Sequence, residues 1–319
     1  MNILVTGGAG FIGSNFVSYL IRSSLRQFDN ISIIDNLTYA GSLTNLEHLP
    51  ENSYKFSQID IRDKVKVKKA LKGIDVVVNF AAESHVDRSI NSSNIFVETN
   101  VLGTHTLLEA SLETSVSTFL QVSTDEVYGS IAKGSWNEDS ILLPNSPYSA
   151  SKASADLIAR SFHKTHEFDV RISRCSNNYG PYQFPEKFIP LIITRLLSGR
   201  KVPIYGTGSN VRDWLYVEDH CAGILSIINN GKPGNIYNLG GGTEVTNLEL
   251  VKFLLDYFEK DESSLDFVED RKGHDFRYSL SYEKAKIELG YVPQTEFNAG
   301  MVRTIEWYLS NSDWWKTKI

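Results

Sequence analysis

A glycine-rich turn near the start of the chain is the feature that most constrains its fold. An apolar run at 2–6 leads into Gly7, Gly10 and Gly13, spaced G-x-x-G-x-x-G, and a segment of helical character at 14–26 follows. A strand that passes through such a turn into a helix directs backbone N–H groups and the helix N-terminus towards a bound pyrophosphate. The pattern predicts a Rossmann-type βαβ unit that binds a dinucleotide.

The end of the second apolar run indicates which dinucleotide is bound. Asp35 closes the run at 31–35, at the distance from the glycines where an acidic residue meets the adenosine ribose. A carboxylate there repels a 2′-phosphate, so we expect NAD rather than NADP; a simple strand-end cap is the alternative. Asp60 and Ile61, after the third strand, are candidates for the adenine edge.

Further apolar runs at 76–81, 118–123 and 170–174 alternate with helix-length segments. Continuous rather than alternating apolar runs are typical of strands buried on both faces, so the pattern predicts a doubly wound parallel sheet. After Cys175 the chain becomes rich in turn formers. We expect residues 1–175 to bind NAD and carry the catalytic groups. Residues 176–319 should form mainly a smaller mixed α/β lobe for the substrate, with scope for the chain to return to the first sheet.

The charge balance excludes several classes of partner. Among 319 residues, 32 Lys and Arg stand against 38 Asp and Glu, a net charge of −6. Because no basic field exists, we expect neither nucleic acid nor a membrane as partner. The two cysteines suit a reducing compartment, and the N-terminus lacks a signal-peptide pattern, so we expect a cytoplasmic protein. The histidines and cysteines show no metal-ligand spacing, and we assign no metal.

Tyr148 and Lys152 share one face of a predicted helix at 147–166. A free tyrosine has a pKa of about 10, too high for a base at neutral pH. A neighbouring ammonium and a nicotinamide cation would both lower that pKa. Ser123 and Thr124 close the preceding strand and can bring a hydroxyl to the substrate. A surface lysine beside a half-buried tyrosine is the alternative interpretation.

Two adjacent carboxyl groups, Asp125 and Glu126, follow Thr124 directly. A close carboxyl pair can hold two different pKa values and so supply an acid beside a base. Adjacent acids at a strand end also occur as a simple solvated turn. Their place next to the predicted catalytic hydroxyl favours the acid–base interpretation.

These motifs resemble the extended short-chain dehydrogenase/reductase family, whose members act mostly on nucleotide sugars. The resemblance rests on T-G-G-x-G-F-I-G, Tyr148-x-x-x-Lys152 and the Ser123-Thr124 strand end, and it covers essentially the whole chain. With Asp125-Glu126 and the stretches 81–89 and 177–181, the chain resembles the dTDP-glucose 4,6-dehydratases of that family.

The resemblance implies a lyase that converts dTDP-glucose to dTDP-4-keto-6-deoxyglucose and water in deoxysugar biosynthesis, with NAD regenerated in place. Tyr148 would remove the proton of the 4-hydroxyl, Glu126 would act as the base at carbon 5, and Asp125 would protonate the departing 6-hydroxyl. Thr124 and Lys152 complete the implied catalytic set. The resemblance also implies a homodimer, joined through a four-helix bundle of the helices near 95–112 and 147–166.

Two sets of binding residues follow from these patterns and the resemblance. The expected NAD contacts are Gly7, Gly10, Phe11, Ile12, Gly13, Asp35, Asn36, Leu37, Thr38, Asp60, Ile61, Phe80, Ala81, Ala82, Ser84, Thr99, Tyr148, Lys152 and Asn178. The expected substrate contacts are Ser84, Thr124, Glu126, Asn177, Lys187, Leu191, Pro203, Tyr205, Arg212, Asn238, Arg271 and His274. Arg212 and Arg271 are the candidates for bidentate contacts to the diphosphate.

Three other functions compete with this one. A nucleotide-sugar 4-epimerase would use the same tyrosine and NAD, but epimerisation involves no elimination and leaves Asp125 and Glu126 without a role. A 4,6-dehydratase for another nucleotide sugar, such as CDP-glucose or GDP-mannose, would use all of these groups. A non-enzymatic dinucleotide-binding scaffold would leave Tyr148, Lys152 and the acidic pair idle.

Overall fold

The apolar runs of the sequence form strands in the computed structural model, which describes residues 1–23 and 28–319. In chain order the strands are β1 (Asn2–Thr6), β2 (Asn30–Asp35), β3 (Lys55–Gln58), β4 (Val76–Asn79), β5 (Thr118–Thr124), β6 (Asp169–Cys175), β7 (Asn177–Tyr179), β8 (Val202–Tyr205), β9 (Val211–Tyr216), β10 (Ile236–Leu239), β11 (Glu244–Thr246) and β12 (Leu265–Val268).

Seven of these strands form one sheet in the order β3-β2-β1-β4-β5-β6-β10, and every neighbouring pair is parallel. The chain runs outward from β1 to β3, and then returns to the other side of β1 and runs outward again from β4. In sheets of this kind, ligands bind at the carboxyl ends of the strands where the order reverses. The reversal between β1 and β4 therefore marks the expected position of the site.

Helices connect the strands and cover both faces of the sheet. They are α1 (Phe11–Arg22), α2 (Lys64–Ala70), α3 (Val86–Asn91), α4 (Asn94–Phe96), α5 (Thr104–Glu113), α6 (Pro147–His166), α7 (Phe188–Leu197), α8 (Val217–Asn230), α9 (Asn247–Tyr257), α10 (Glu283–Leu289), α11 (Phe297–Ser310) and α12 (Ser312–Lys316). A π-helical stretch, Val97–Gly103, joins α4 to α5. The helix predicted at 14–26 begins earlier, at Phe11, where the extended backbone of Gly10 caps it. Its predicted end, residue 26, lies outside the described residues.

Successive residues of a central strand face opposite layers of the core. Ile3 packs in a cluster with Phe16 of α1 and Ile224 of α8, whereas its neighbour Leu4 packs in a cluster with Leu107 of α5. Both faces of β1 are thus apolar, which is the physical reason for its unbroken apolar run. The predicted Rossmann-type, doubly wound α/β fold is confirmed.

The second half of the chain builds a smaller mixed layer beside the sheet. It contains the strands β7, β9 and β11, the pair β8–β12, and a core of α7, α9 and α11 side chains that includes Ile192, Leu254 and Met301. From this part the chain returns to the large sheet as β10. The division at residue 175 stays a prediction. Across the described ranges, no helix has both the length and the apolar character needed to cross a membrane.

A buried ion pair joins α6 to the sheet. The Arg174 Nε of β6 lies 2.9 Å from Asp156 Oδ2 of α6, and Arg174 Nη1 donates to the Tyr128 hydroxyl at 2.8 Å. Both charged side chains are almost fully buried. Removal of one partner would leave the other charge in a low-dielectric interior, which is a large destabilisation.

We therefore expect Asp156→Ala to lower the free energy of unfolding by about 3–5 kcal/mol. The exposed pair Arg22–Glu218, with 3.1 Å between Nη2 and Oε1, provides the control. Arg22→Ala should cost only about 0–1 kcal/mol. Urea unfolding followed by circular dichroism measures both, and equal losses would contradict the importance of the buried pair.

Candidate active site

A cleft of about 330 Å³ opens at the carboxyl ends of the strands, where the strand order reverses. All predicted catalytic residues line it: Thr124, Asp125, Glu126, Tyr148 and Lys152. So do all but one of the predicted NAD contacts: Gly7, Gly10, Phe11, Ile12, Gly13, Asp35, Asn36, Thr38, Asp60, Ile61, Phe80, Ala81, Ala82, Ser84, Thr99, Tyr148, Lys152 and Asn178. The exception, Leu37, lies beside the cleft, where its backbone N–H donates to Asp35.

The glycine turn at one end of the cleft has no room for side chains. A Cβ on Gly7, whose φ is +64°, would lie 2.7 Å from the backbone N of Ala81. A Cβ on Gly13 would lie 2.3 Å from the Gly7 carbonyl oxygen. Helix α1 starts at this turn with no side-chain cap and no acidic residue in its first turn. Its N–H groups and positive end are therefore available to an anion, which fits the pyrophosphate of a dinucleotide.

Asp35 is buried at the floor of this end of the cleft. Its Oδ2 accepts the Ala9 N–H at 3.0 Å, its Oδ1 accepts the Leu37 N–H at 2.8 Å, and burial raises its pKa. The two backbone donors hold the carboxylate in one orientation, with lone pairs left for the hydroxyls of a ribose. Asp60, by contrast, pairs with Arg62 at 2.7 Å, and the hydrogen bond from Arg62 lowers its pKa.

Tyr148 and Lys152 lie one turn apart at the start of α6. The Ser146 side chain caps this helix, with Pro147 in its first turn, so the sequence defines where Tyr148 enters the cleft. The Lys152 Nζ donates to the Val122 carbonyl at 2.7 Å. Burial lowers the pKa of Lys152.

The sequence predicts a lowered pKa for Tyr148, but the net effect of the surrounding protein is to raise that pKa. Burial raises the pKa of Tyr148 well above its ordinary value, and the carboxyl group of Glu126 raises it further. The Lys152 ammonium is bound to the Val122 carbonyl of β5, and burial disfavours its charged form as well. The protein alone thus holds the phenol in its protonated form.

The acidic pair lies in a 3₁₀ turn, Asp125–Tyr128, that begins where β5 ends. The Thr124 hydroxyl donates to Asp125 Oδ1 at 3.2 Å and accepts the Glu126 N–H at 3.3 Å. Asp125 is only 2% exposed, whereas Glu126 is half-buried towards the cleft. One turn thus places two neighbouring carboxyls in two different surroundings.

Those surroundings raise the pKa of both carboxyls, with different charges nearby. Burial raises the pKa of Asp125 well above its ordinary value, and the carboxyls of Glu126 and Asp213 raise it further. Burial also raises the pKa of Glu126, but the cations Lys187 and Arg212 oppose that shift. Burial thus favours a protonated Asp125, which suits a proton donor, and the cations that oppose the shift of Glu126 suit a proton acceptor beside it.

The predicted substrate residues fall into two groups. Ser84, Thr124, Glu126, Asn177 and Lys187 line the cleft, where the Lys187 Nζ donates to the Ser84 carbonyl at 2.6 Å. The others lie outside its lining: Leu191, Pro203, Tyr205, Arg212, Asn238, Arg271 and His274.

Four residues of the second group cluster beside the Glu126 end of the cleft. The Arg271 guanidinium lies 5.2 Å from the centre of the Tyr205 ring, and the His274 ring packs edge-on against Tyr205. Arg212 donates to the Asp275 and Phe276 carbonyls. Both arginines lower the pKa of Glu126, so their positive charge reaches the cleft.

Asn238 is not brought to the cleft. It lies on β10, pairs in register with Arg174, and is fully buried. Its Oδ1 accepts the Tyr128 hydroxyl at 2.9 Å, and its Nδ2 donates to the Trp136 carbonyl at 3.2 Å. With its side chain engaged inside the protein, we no longer count Asn238 among the substrate contacts.

Several residues that the sequence analysis does not single out also reach the cleft. Tyr39, Glu83, Cys175 and Gln183 line it. Tyr39 and Glu83 lie within segments already singled out, three or fewer positions from Asn36 and Ser84, and proximity in sequence could have indicated them. Gln183 carries no such signal.

A buried histidine supports the cofactor side of the cleft from behind. Asn178 donates through Nδ2 to the Ser176 carbonyl at 2.9 Å, so its Oδ1 faces His220 Nδ1, 2.8 Å away. His220 is fully buried, and desolvation lowers its pKa to about 3. The neutral ring therefore carries its proton on Nδ1 and donates it to Asn178.

Comparison with known proteins places this geometry in a family. Residues 4–304 match the family model described as GDP-mannose 4,6 dehydratase. A dTDP-glucose 4,6-dehydratase of Streptomyces antibioticus is 54% identical over 99% of this chain and 95% of the relative. The resemblance found in the sequence is confirmed.

Solved structures give the same relationship. A dTDP-glucose 4,6-dehydratase from Streptomyces venezuelae, crystallised with NAD and TDP, superposes with a TM-score of 0.99 at 52% identity, and the match covers all of both chains. A UDP-glucose 4-epimerase from Thermotoga maritima reaches a TM-score of 0.90 at 30% identity, covering 98% of this chain and 100% of its own. The fold is thus shared with epimerases, and the residues of the cleft must distinguish the two reactions.

The buried His220 should make the protein sensitive to acid. Its pKa of about 3 in the folded state lies below the ordinary value near 6.5 of an unfolded chain, so unfolding takes up a proton between these values. The stability due to neutral His220 is complete above pH 6.5 and is lost as the pH falls towards 3. We expect His220→Gln to reduce the slope of unfolding free energy against pH by about 1.4 kcal/mol per unit between pH 6 and 4.5.

Urea unfolding across that pH range measures the slope. His166→Gln, at the exposed end of α6, is the control and should leave the slope unchanged. Identical slopes for the His220 variant and the unmodified protein would show that His220 is not held neutral.

Proposed function

Since the chain belongs to the GDP-mannose 4,6 dehydratase family, we propose that it is an NAD-dependent dTDP-glucose 4,6-dehydratase that serves deoxysugar biosynthesis. It converts dTDP-glucose to dTDP-4-keto-6-deoxyglucose and water. The observation that carries the proposal is the pair Asp125 and Glu126, which shares one cleft with Tyr148 and the glycine turn. Oxidation alone needs only the tyrosine and the dinucleotide, whereas elimination of water needs an acid and a base as well.

Tyr148 acts as the base at the 4-hydroxyl of the sugar. Bound NAD supplies a hydride acceptor and later a hydride donor, and its cationic ring favours the phenolate that the protein alone disfavours. The Thr124 hydroxyl lies beside Tyr148 and counteracts the rise in its pKa. Lys152 uses one N–H for the Val122 carbonyl, which leaves its other donors for a ribose hydroxyl.

Elimination follows once carbon 4 is a ketone, because the ketone acidifies the hydrogen on carbon 5. Glu126 removes that hydrogen as a proton, the electron pair forms the bond between carbons 5 and 6, and the bond from carbon 6 to its oxygen breaks. Asp125 gives its proton to the departing oxygen, and water leaves. Glu126 later returns a proton to carbon 5, and the reduced form of bound NAD would supply the hydride that carbon 6 gains. The raised pKa of Asp125 and the cations that oppose the rise at Glu126 support these two roles.

The diphosphate and base of the substrate extend towards the second cluster. The protein carries a net charge of −6, so the anion must be held locally, and Lys187, Arg212 and Arg271 supply the cations. Tyr205 and His274, beside Arg271, offer flat rings for the base, with Pro203 and Leu191 as further apolar contacts.

We also propose that the protein acts as a cytoplasmic homodimer in which the helices around 94–113 and 147–166 of two copies form a four-helix bundle. Val97, Leu102 and Leu157 on these helices are each more than half exposed, which supports an apolar contact there. The division into an NAD-binding part, 1–175, and a substrate-binding part, 176–319, remains part of the same proposal.

Product analysis in deuterium oxide tests the proposed reaction. The product from dTDP-glucose should be the 4-keto-6-deoxy sugar, with deuterium at carbon 5 and the hydrogen of carbon 4 moved to carbon 6. An epimerase would instead give dTDP-galactose, with its 6-hydroxyl intact and no solvent label. That product would overturn the proposal, and turnover only with CDP-glucose or GDP-mannose would reassign the substrate.

Variants of the acidic pair should separate the steps. Glu126→Gln should slow deuterium exchange at carbon 5, and Asp125→Asn should slow loss of the 6-hydroxyl, each by about 10²–10⁴-fold. Asp139→Asn, an exposed acid in the segment that follows, is the matched control and should stay within twofold. Full activity in both variants would show that Asp125 and Glu126 take no part in catalysis and form only a turn.

A separate prediction concerns the phosphate cluster. Arg212→Ala removes charged hydrogen bonds worth roughly 1.5–3 kcal/mol, so dTDP affinity should fall by about one to two decades. Arg200→Ala, an exposed arginine at the end of the α7 segment, should leave it unchanged. Isothermal titration with dTDP decides the matter. Unchanged affinity in a folded Arg212 variant would place the phosphates elsewhere.

A further inference from the structure

The glycine turn is held from outside itself. Between Gly7 and Gly10 it contains only glycine and alanine, so no polar side chain of its own can fix its peptide groups. The peptide groups around Ala9 are bound by two other segments instead, the end of β2 and residues 42–45. The Ala9 N–H donates to Asp35, and the Ala9 carbonyl accepts the Ser42 N–H at 3.0 Å and the Asn45 Nδ2 at 2.8 Å.

Asn45 is itself held by the C-terminal part of the chain. It is 1% exposed, and its Oδ1 accepts the indole N–H of Trp314 at 2.8 Å. The side-chain amide of Asn45 thus links Trp314 to the Ala9 carbonyl, and these two residues lie near opposite ends of the sequence. Because Asn45 is buried, loss of either partner would leave its Oδ1 or its Nδ2 without a hydrogen bond, which is costly inside a protein.

The Trp314 ring packs against the rings of Tyr182, Trp307 and Tyr308. We call these four residues the C-terminal aromatic cluster. The Trp307 and Trp314 ring centres lie 5.0 Å apart, and those of Tyr182 and Trp307 lie 4.6 Å apart. Such packing leaves the indole one orientation, with its N–H towards Asn45. The cluster is built from the smaller layer of the protein, yet it acts on a turn of the large sheet.

We propose that Trp314 and Asn45 are positioning residues that hold the glycine turn in the shape that receives the pyrophosphate of NAD. The inference rests on the proposed function, since it assumes that NAD binds at this turn. A turn held rigid before binding loses less conformational entropy when the ligand arrives, so affinity depends on the partners that hold it. Neither residue lines the cleft, and neither takes part in the chemistry.

Dinucleotide affinity of the full-length protein, freed of cofactor, provides the test. Trp314→Phe keeps the ring and deletes the N–H, and it should weaken NAD binding by about three- to tenfold, the range of one lost hydrogen bond. Asn45→Ala should weaken it at least as much. Because the two act in series, the double variant should resemble Asn45→Ala alone rather than the product of both effects.

A matched control separates this role from general stability. Trp315→Phe also deletes an indole N–H with a buried hydrogen bond, but that bond runs to the Tyr308 carbonyl at 2.8 Å and not to Asn45. It should lower the melting temperature and leave NAD affinity within twofold. All three variants should bind dTDP like the unmodified protein, and the maximal rate at saturating NAD should not change.

The outcomes divide cleanly. NAD affinity that Trp314→Phe and Asn45→Ala leave unchanged would overturn this inference alone. Equal loss in the Trp315 control, or a parallel loss of dTDP affinity, would overturn it too, because the effect would then be structural. Failure of the unmodified protein to bind NAD would overturn the proposed function and this inference with it.

Discussion

The close approach of helix α1 to the end of β1 is the constraint on which the rest of the site depends. A Cβ on Gly13 would lie 2.3 Å from the Gly7 carbonyl oxygen, so only glycine lets the helix start this near the strand. That approach directs the helix N-terminus into the point where the strand order reverses. Asp35, Thr124 and Asp125 then reach the same cleft from the ends of parallel strands, without any special device of their own.

Burial governs the chemistry of that cleft. It raises the pKa of Tyr148, Asp125 and Glu126 and lowers that of Lys152, so each group is driven towards its neutral form. Without bound molecules, burial therefore favours the uncharged forms of these four groups. The charges that bound molecules bring in then decide which group ionises, and the cations Lys187 and Arg212 oppose the rise in the pKa of Glu126.

Local patterns in the sequence predicted local structure well, and long-range placement poorly. The strand–turn–helix around Gly7 and the pair Tyr148–Lys152 depend on residues a few positions apart, and the structure brings them together as expected. The direction of the Tyr148 pKa could not be predicted, because it depends on burial by distant segments. Asn238 and the link from Trp314 to Asn45 likewise depend on which strands and helices meet, and no spacing in the chain encodes that.

The same limit explains why the fold alone does not define the reaction. A UDP-glucose 4-epimerase shares it with a TM-score of 0.90 at 30% identity, so the architecture by itself does not separate an epimerase from a dehydratase. In this chain the turn after β5 carries two consecutive carboxyls, Asp125 and Glu126, which both line the cleft and differ in exposure, Asp125 being buried and Glu126 half-buried. A change of reaction therefore needs no change of architecture. Under the proposed function, the two carboxyls after β5 add elimination to oxidation, and the end of that strand places both of them in the cleft.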